Sequence, residues 1–333
     1  MTSQVVERNQ SIDVLRGIAI TLVVAGHANR GVIDEIQSYK KALSFADYAI
    51  YSIHMPLFFY LSGYFCFFSL KKQRSLIFLR SRMQVIVRPY IIWSAITVAA
   101  SVIMLHYTYI RTPVTILDLL QIGWRPIGVL WFLYALFVMQ VAATLLWRRP
   151  IIALIGVIAL ELLINGAVAD NSNELLAKVI AHAPFFFTGL LVASAINRPV
   201  PEFSDNRFLL LLIFSSIWLL GIHISFIIGV PSSVSLIVLP ICAAGILALA
   251  GISTQLVGTY PGIFLAKLGR ASMPIYLLHI FVLALVPRIL KMLNVDEALL
   301  RIVFGTLIGV LGAYLASVVI HRMRLSRFFG FYG

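Results

Sequence analysis

The sequence predicts an all-α, polytopic membrane protein with about ten transmembrane helices. Hydrophobic residues make up 61% of the 333-residue chain, charged residues make up 12%, and the mean hydropathy is +0.97. Long apolar segments recur along the chain without an extended polar insert, as helices need to cross a hydrocarbon core about 30 Å thick. This composition excludes an ordinary soluble domain.

Each predicted helix is a run of roughly 20 predominantly apolar residues. The ten runs lie at residues 12–30, 48–69, 89–109, 127–147, 151–169, 179–197, 208–229, 233–251, 272–290 and 302–320. An even number of spans puts both termini on the same side of the membrane. Few charges precede the first run, and Arg16 and His27 lie within it, so we expect it to remain as a helix rather than be cleaved as a signal peptide.

Lysine and arginine are distributed unequally between the two sides of the predicted bundle. The side that holds the termini carries 17 of the 26 cationic residues. Both termini are therefore predicted to be cytoplasmic, and the net charge of +13 reflects topology rather than a nucleic-acid partner. Cys66 and Cys242 fall in apolar runs, which indicates neither a disulfide framework nor a thiolate metal site.

The first helix carries Arg16 near one end and His27 near the other. About three helical turns separate them, so both side chains leave nearly the same face, roughly 16 Å apart along the axis. Ionisable residues inside a membrane usually face a protein interior or a watery cavity, which favours a functional site. The alternative is an arginine that snorkels to the interface and a histidine that only hydrogen-bonds a neighbouring helix.

Six cations and no acid lie between the second and third helices, in what we interpret as a loop. They are Lys71, Lys72, Arg74, Arg80, Arg82 and Arg88. Arginine binds phosphate oxygens bidentately, so this stretch is a candidate cradle for a phosphorylated cosubstrate. Topology and contacts with anionic lipid headgroups are the alternative reading. Pro89 suits the first turn of the third helix and would place Arg88 at its start.

The second and ninth predicted helices also carry polar or small residues. In the second helix, Pro56 would free a backbone carbonyl at mid-span, and Ser62-Gly63 would let another helix or a ligand approach closely. His54 and His279, each taken alone, are interpreted as structural. The other histidines show no ligand spacing, so no metal site is predicted; these are His106, His182, His223 and His321.

Four motifs in a fixed order support a resemblance to a known family. They are Asp13-x-x-Arg16-Gly17 followed by His27, Pro56-Leu57-Phe58-Phe59-x-x-Ser62-Gly63, Leu130-Trp131-Phe132-Leu133, and Gly269-x-x-Ser272 leading to Tyr276-Leu277-Leu278-His279. Together they resemble the membrane-bound acyltransferase-3 family over nearly the whole chain. The family usually carries an Arg-x-x-Arg pair after helix two, whereas here Arg80 and Arg82 are separated by one residue.

The resemblance implies transfer of an acyl group, usually acetyl from cytosolic acetyl-CoA, to a hydroxyl of a cell-envelope sugar. The chain is similar to stand-alone bacterial O-antigen acetylases, which implies a single domain over residues 1–333 in the bacterial inner membrane without a fused extracytoplasmic domain. The implied partners are acetyl-CoA, membrane lipids and a lipid-linked or membrane-adjacent glycan such as lipopolysaccharide O-antigen. No metal is implied.

The resemblance and the helix positions together suggest residues for three roles. The catalytic candidates are His27, Arg16 and Asp13; the donor-binding candidates are Arg80, Arg82, Arg88, Ser62, His279 and Tyr276; the acceptor-binding candidates are Trp131, Arg125, Arg111 and His54. Helices one, two, four and nine are expected to meet near His27, and the sequence leaves open whether His27 acts as a base or is itself acylated.

Two other classes of function remain open on sequence grounds. Intramembrane His, Arg and Glu161 would also suit a proton-coupled transporter or a lipid-linked sugar flippase. Against this class, the chain shows neither an internal repeat nor a matched pair of broken helices in two halves. A binding or sensor protein without chemistry is the third possibility and has the least support.

Overall fold

The computed structural model describes residues 9–33, 37–104, 114–167, 174–196, 207–230 and 236–331, and the regular structure within these ranges is helical. The first eight α-helices are α1 (Gln10–Val32), α2 (Lys40–Tyr51), α3 (His54–Lys72), α4 (Ser75–Arg82), α5 (Arg88–Met104), α6 (Asp118–Gln121), α7 (Trp131–Leu146) and α8 (Pro150–Ala167). The second eight are α9 (Glu174–Ile196), α10 (Arg207–Ile227), α11 (Leu239–Leu256), α12 (Tyr260–Arg270), α13 (Ser272–Leu283), α14 (Val286–Met292), α15 (Ala298–Arg322) and α16 (Ser326–Phe329).

The predicted all-α, multi-span class is confirmed. Within the described ranges, eight helices or continuous helical stretches are long and apolar enough to cross a membrane. A ninth is added if α13 and α14, which meet at 47°, form one broken span. Each of the ten predicted runs overlaps an apolar helix, although the fifth run corresponds to a shorter one, Pro150–Ile164. The cytoplasmic location of the termini stays a prediction.

Helix α1 lies at the centre of the bundle. It begins where the Asn9 side chain accepts a hydrogen bond from the backbone N–H of Ser11 (2.9 Å), which caps the helix. Along it, Val14, Ala19 and Ile20 are fully buried, and the helix contacts α11, α12, α13 and α15. Because α1 is surrounded, the side chains it carries reach several other helices.

Glycines allow two very close helix crossings. A Cβ on Gly269 would lie 1.8 Å from the Asp13 carbonyl oxygen, so α12 can meet α1 only with glycine there. A Cβ on Gly63 would lie 1.8 Å from the Phe186 carbonyl oxygen, so α3 and α9 pack backbone to backbone. The close approach predicted for Ser62-Gly63 is therefore made by another helix.

The second predicted helix corresponds to the helical stretch Lys40–Lys72, which contains a break just before Pro56. It divides at Ser52 and Ile53 into α2 and α3, which makes Pro56 the third residue of α3. A proline costs little in the first turn, because the N–H it lacks would have no helical partner there. The Ser52 hydroxyl stabilises the break by accepting a hydrogen bond from the indole nitrogen of Trp218 (3.0 Å). Pro56 thus lies near the middle of this helical stretch, and the break falls one turn before it.

The stretch predicted as a cationic loop is also mostly helical. Only Gln73 and Arg74 separate α3 from α4, and a π-helix, Met83–Val87, connects α4 to α5. The backbone N–H of Arg88 donates to the carbonyl of Met83, the wider spacing of a π-helix. We attribute this widening to Pro89, whose ring would clash with a carbonyl of a regular α-helix. Arg80, Arg82 and Arg88 therefore lie in one helical stretch, Ser75–Val102, which is long and apolar enough to cross a membrane, and Arg88 begins α5 within it.

The C-terminal segment packs against the first half of α5. The indole nitrogen of Trp93 donates to the Phe329 carbonyl (3.0 Å), and the Phe331 ring stacks on Trp93 with centroids 5.9 Å apart. Gly330 has φ +76°, and a Cβ there would lie 2.4 Å from Pro89 Cγ. Phe329, Gly330 and Phe331 thus pack against the first half of α5, the helix that begins with Arg88.

Candidate active site

The catalytic candidates on α1 occupy two separate places. Asp13 is buried, and its carboxylate lies 3.6 Å from Nη1 of Arg270. Arg16 is half-buried, with its guanidinium carbon 5.3 Å from the centroid of the Phe65 ring. His27 lies about three turns further along the same helix, roughly 16 Å along its axis. The structure therefore pairs Asp13 with α12 and Arg16 with α3, and brings neither to His27 by contact.

His27 instead meets a second histidine. Its half-buried ring lies 5.1 Å from that of His279, centroid to centroid, with the ring planes at 49°. His279 on α13 is fully buried, and its Nδ1 lies 2.6 Å from the Tyr276 carbonyl oxygen. The pair joins the motif of the first helix to the motif of the ninth predicted helix.

A tyrosine and an ion pair complete the surroundings of His27. The Tyr51 ring lies 6.4 Å from His27 and 4.5 Å from His54, edge to face in both cases. The guanidinium of Arg30 lies 3.4 Å from the centroid of Tyr51 and makes a bidentate pair with the Asp47 carboxylate (2.7 and 2.9 Å). Sequence reasoning missed Tyr51, Arg30 and Asp47. The three-residue spacing of His27 and Arg30 on one helix was the signal that could have found Arg30.

A second group of rings surrounds Trp131 at the start of α7. The half-buried Trp131 ring lies 5.2 Å from His182 and 6.1 Å from Phe59, and the ammonium of Lys178 lies 5.7 Å from the Trp131 centroid. His182 is buried, with Nδ1 2.7 Å from the Lys178 carbonyl. Sequence analysis set His182 aside because it lacked metal-ligand spacing. The signal it offered was a cation one turn earlier on the same helix, Lys178.

The two groups form one continuous network of rings. Tyr276 lies 6.1 Å from His279 and 5.5 Å from Phe132, and Phe132 lies 4.9 Å from Phe59, measured between centroids. The Tyr276 hydroxyl donates to the carbonyl of Val129, just before α7. The four predicted helices expected to meet near His27 all contribute rings, and α9 joins them through His182.

A basic groove of about 710 Å³ opens where α3 turns into α4 and α7 ends. Its walls comprise Leu70, Lys71, Lys72, Gln73, Arg74, Ser75, Thr144, Leu145, Trp147 and Arg148. The four cations among them are exposed, no acid is included, and the Arg148 guanidinium lies 5.2 Å from the Trp147 ring. Arg148 joins Lys71, Lys72 and Arg74 from a distant part of the chain, a grouping that the sequence analysis did not predict.

The predicted donor-binding arginines lie beside the groove rather than in its walls. Arg80 and Arg88 are exposed, on α4 and at the start of α5. Arg82 is half-buried, 5.0 Å from the Phe78 ring, and its Nε is buried without a hydrogen-bond partner among the described residues. Ser62 is half-buried at the α3–α9 crossing.

Of the two remaining acceptor candidates, Arg125 lies within the described residues and Arg111 does not. Arg125 is exposed just before α7, and Arg111 lies outside the described residues. Seven residues before Arg125, the Asp118 carboxylate accepts hydrogen bonds from the backbone N–H and hydroxyl of Thr115 (2.7 and 2.8 Å). These bonds hold the pKa of Asp118 below its ordinary value.

Fold and site together define a polytopic helical membrane protein with a histidine pair inside the bundle and a separate basic groove. No group of three or more His, Cys, Asp or Glu side chains suited to a metal ion occurs in the described ranges. The family model described as "Acyltransferase domain", acyltransferase family 3, matches residues 9–318, and the chain belongs to this family. Comparison with curated proteins and with solved structures gave no match. The protein is therefore a membrane acyltransferase.

Proposed function

We propose that this acyltransferase moves an acetyl group from cytosolic acetyl-CoA to a hydroxyl of a cell-surface or lipid-linked polysaccharide, such as lipopolysaccharide O-antigen. The chain would lie in the bacterial inner membrane with both termini in the cytoplasm. One observation carries the proposal: the half-buried His27 and the buried His279 are paired inside a bundle whose surface bears an acid-free basic groove. Acyl transfer from a thioester needs such a proton acceptor and a place to hold the donor.

The basic groove supports a phosphorylated donor. Lys71, Lys72, Arg74 and Arg148 line a volume in the range of small-molecule sites. Two of the four are arginines, whose planar fork matches phosphate oxygens, and Trp147 adds an aromatic surface beside Arg148. The phosphates and adenine of CoA suit this combination of cations and a ring.

The spacing along α1 supports entry of the donor from the side that holds the termini. Arg16 contacts Phe65 near the end of α3, and α3 ends at the groove. His27 lies roughly 16 Å deeper along α1. The pantetheine arm of CoA is of the same order of length, so a nucleotide held at the groove would present its thioester inside the bundle.

His27 supplies the proton chemistry in this proposal. Imidazole is the side chain whose ordinary pKa lies nearest neutrality, so it accepts a proton from an attacking hydroxyl without a metal. The hydroxyl oxygen attacks the thioester carbonyl carbon, the carbon–sulfur bond breaks, and CoA leaves as the thiol after taking up that proton. A second route, in which His27 first accepts the acyl group, gives the same products.

Trp131 and its neighbours support binding of a sugar acceptor. The half-buried indole, with Lys178 and His182 around it, offers a ring face and polar groups of the kind that orient a ligand. Through Phe59, Phe132 and Tyr276, this group is continuous with His279. The acceptor would reach His27 from the Trp131 group, while the donor comes from the groove.

Purified protein tests the proposal with acetyl-labelled CoA and a panel of lipid-linked and polymeric glycans. We expect label to appear in the glycan together with an equal amount of free CoA thiol, and neither with the His27→Ala variant. A transporter or flippase would leave the thioester intact, and that result with every acceptor would overturn the proposal. Mass analysis of surface polysaccharide from cells with and without the protein would then identify the acetylated sugar.

A further inference from the structure

His279 holds its proton on a defined nitrogen. Its Nδ1 lies 2.6 Å from the Tyr276 carbonyl oxygen and 3.2 Å from that of Ile275. Carbonyl oxygens only accept hydrogen bonds, so Nδ1 must be the protonated nitrogen of the neutral ring. Nε2 therefore carries the lone pair.

That lone pair is enclosed without a partner. Nε2 of His279 is buried and has no hydrogen bond to any described residue. An unsatisfied buried polar atom is costly, so native structures keep few of them without a reason. Two titratable rings adjoin His279: Tyr276, at 6.1 Å between centroids, whose hydroxyl already donates to Val129, and His27, at 5.1 Å. A rotation of the His27 ring about its broad terminal torsion would direct an N–H of His27 towards Nε2.

The bond to a backbone carbonyl does not by itself distinguish His279 from the other buried histidines. His54 and His182 have the same arrangement, with Nδ1 2.7 Å from the carbonyl oxygens of Ile50 and Lys178. Among these three rings, within the part of the chain that the structure describes, only His279 combines a buried, unpartnered Nε2 with contact to His27. Packing alone accounts for the bond from Nδ1 to a backbone carbonyl, which all three histidines make. It does not account for a buried Nε2 without a partner in His279.

We propose that His279 is the positioning residue for His27, an inference that rests on the proposed acyl transfer. Nε2 of His279 accepts the N–H of His27, which fixes the opposite nitrogen of His27 as the proton acceptor. When the acceptor hydroxyl gives its proton to that nitrogen, the imidazolium formed on His27 is stabilised by the hydrogen bond to His279. The proton passes to the departing CoA sulfur, and His27 returns to its neutral form. A base held by a third group is the general arrangement of such sites.

Two amide variants separate this role from packing. The amide nitrogen of Asn in His279→Asn approximates Nδ1 and keeps the bond to the Tyr276 carbonyl, whereas the amide oxygen of Gln in His279→Gln approximates Nε2 and keeps the acceptor. We expect His279→Asn to lower kcat by about 10- to 100-fold with an unchanged KM for acetyl-CoA, and His279→Gln to retain kcat within about fivefold. His223→Ala removes an exposed imidazole beside Phe45 and serves as the matched control. Equal losses in the two amide variants, or a smaller loss in His279→Asn, would overturn the inference.

A spectroscopic measurement distinguishes failure of this inference from failure of the proposed function. In protein labelled with ¹⁵N-histidine, Nδ1 of His279 should be protonated, and the Nε2 signal should shift when His27 is replaced by Ala. An unchanged Nε2 signal in that variant excludes the hydrogen bond, whatever the activity. Absence of acetyl transfer by the wild-type protein, with the Nε2 shift still present, would instead reject acetyl-CoA chemistry and leave the pair of histidines intact.

Discussion

His279 is fully buried and His27 half-buried inside the bundle, whereas Lys71, Lys72 and Arg74 lie exposed around an open groove. The histidines are held by short-range contacts to other helices, with ring centroids 5.1 Å apart. The groove cations come from the end of α3 and the α3–α4 turn, and Arg148 joins them after α7. The two regions differ in how much water surrounds their polar groups.

This difference in exposure to water suggests different roles for the histidine pair and the basic groove. A buried imidazole loses its interactions with water, so its hydrogen bonds are set by the protein and its proton has few alternative sites. Exposed cations keep their water, interact weakly one by one and are screened by salt. Under the proposed function, substitutions at the histidines should change the chemical step, and substitutions at the groove should change donor binding.

The largest expected effect belongs to His27. His27→Ala should lower kcat for acetyl transfer by a factor of about 10² or more, because it removes the positioned proton acceptor. Donor affinity, measured by equilibrium binding of acetyl-CoA, should stay within about twofold, since the exposed groove is unaltered. Wild-type levels of acetylated polysaccharide in cells that accumulate the variant normally would contradict a catalytic role.

The groove should respond in the opposite way. The double variant Arg74→Gln and Arg148→Gln should raise the KM for acetyl-CoA by about tenfold and leave kcat nearly unchanged, because two exposed charge contacts are together worth about 1–2 kcal/mol. Arg149→Gln is the matched control, since Arg149 is an exposed neighbour of Arg148 outside the groove walls. Equal KM values for the double variant and the control would move the donor site elsewhere.

A smaller effect is expected from the arginines of α4. Neutral replacement of Arg80 and Arg82 should weaken acetyl-CoA binding by a few-fold and acceptor binding less, with most of the loss due to Arg82. The reason is the unpartnered, buried Nε of Arg82, compared with the exposed side chain of Arg80. Single variants compared by isothermal titration would show the order, and a larger loss of acceptor affinity would assign the helix to the other substrate.

The smallest effect should come from salt. Raising ionic strength from about 0.1 to 1 M shortens the screening length from about 10 to 3 Å, so wild-type KM for acetyl-CoA should rise a few-fold while kcat stays constant. The Arg74→Gln and Arg148→Gln variant should show a flatter dependence. If salt lowers kcat and leaves KM unchanged, the comparison of the two regions is wrong.

Much of the fold could be predicted from local sequence, and the errors have local causes. Pro56 was predicted to free a backbone carbonyl and Pro89 to lie in the first turn of a helix, and the structure adds a break at Ser52–Ile53, one turn before Pro56, and a π-helix before Pro89. A proline pattern does not say whether a helix will break, begin or widen, because several arrangements avoid the same clash. The presumed loop is helical, and its apolar residues Leu76 to Leu79 belong to a stretch, Ser75–Val102, that is long and apolar enough to cross a membrane.

The candidate site could be predicted only in part. His27 was identified from its position in an apolar helix, where an ionisable residue is costly enough to suggest a function. The sequence analysis missed Tyr51, His182 and the pair of Arg30 and Asp47. Within its own segment, each of these residues can be explained by packing or topology alone. Their place in the network depends on which helices become neighbours, and no single segment contains that information.

By itself, the sequence determined the membrane class and the approximate positions of the apolar helices that the structure describes, and it nominated His27 as the catalytic candidate. These properties follow from the transfer of about 20 residues at a time into hydrocarbon, which is a local quantity. Only the tertiary structure decided that His27 meets His279 and that Arg148 completes the groove of Lys71, Lys72 and Arg74. Those meetings depend on backbone crossings such as Gly269 on Asp13, where α12 approaches α1 too closely for any side chain. The histidine pair and the basic groove therefore depend on packing between distant segments, which local sequence patterns do not predict.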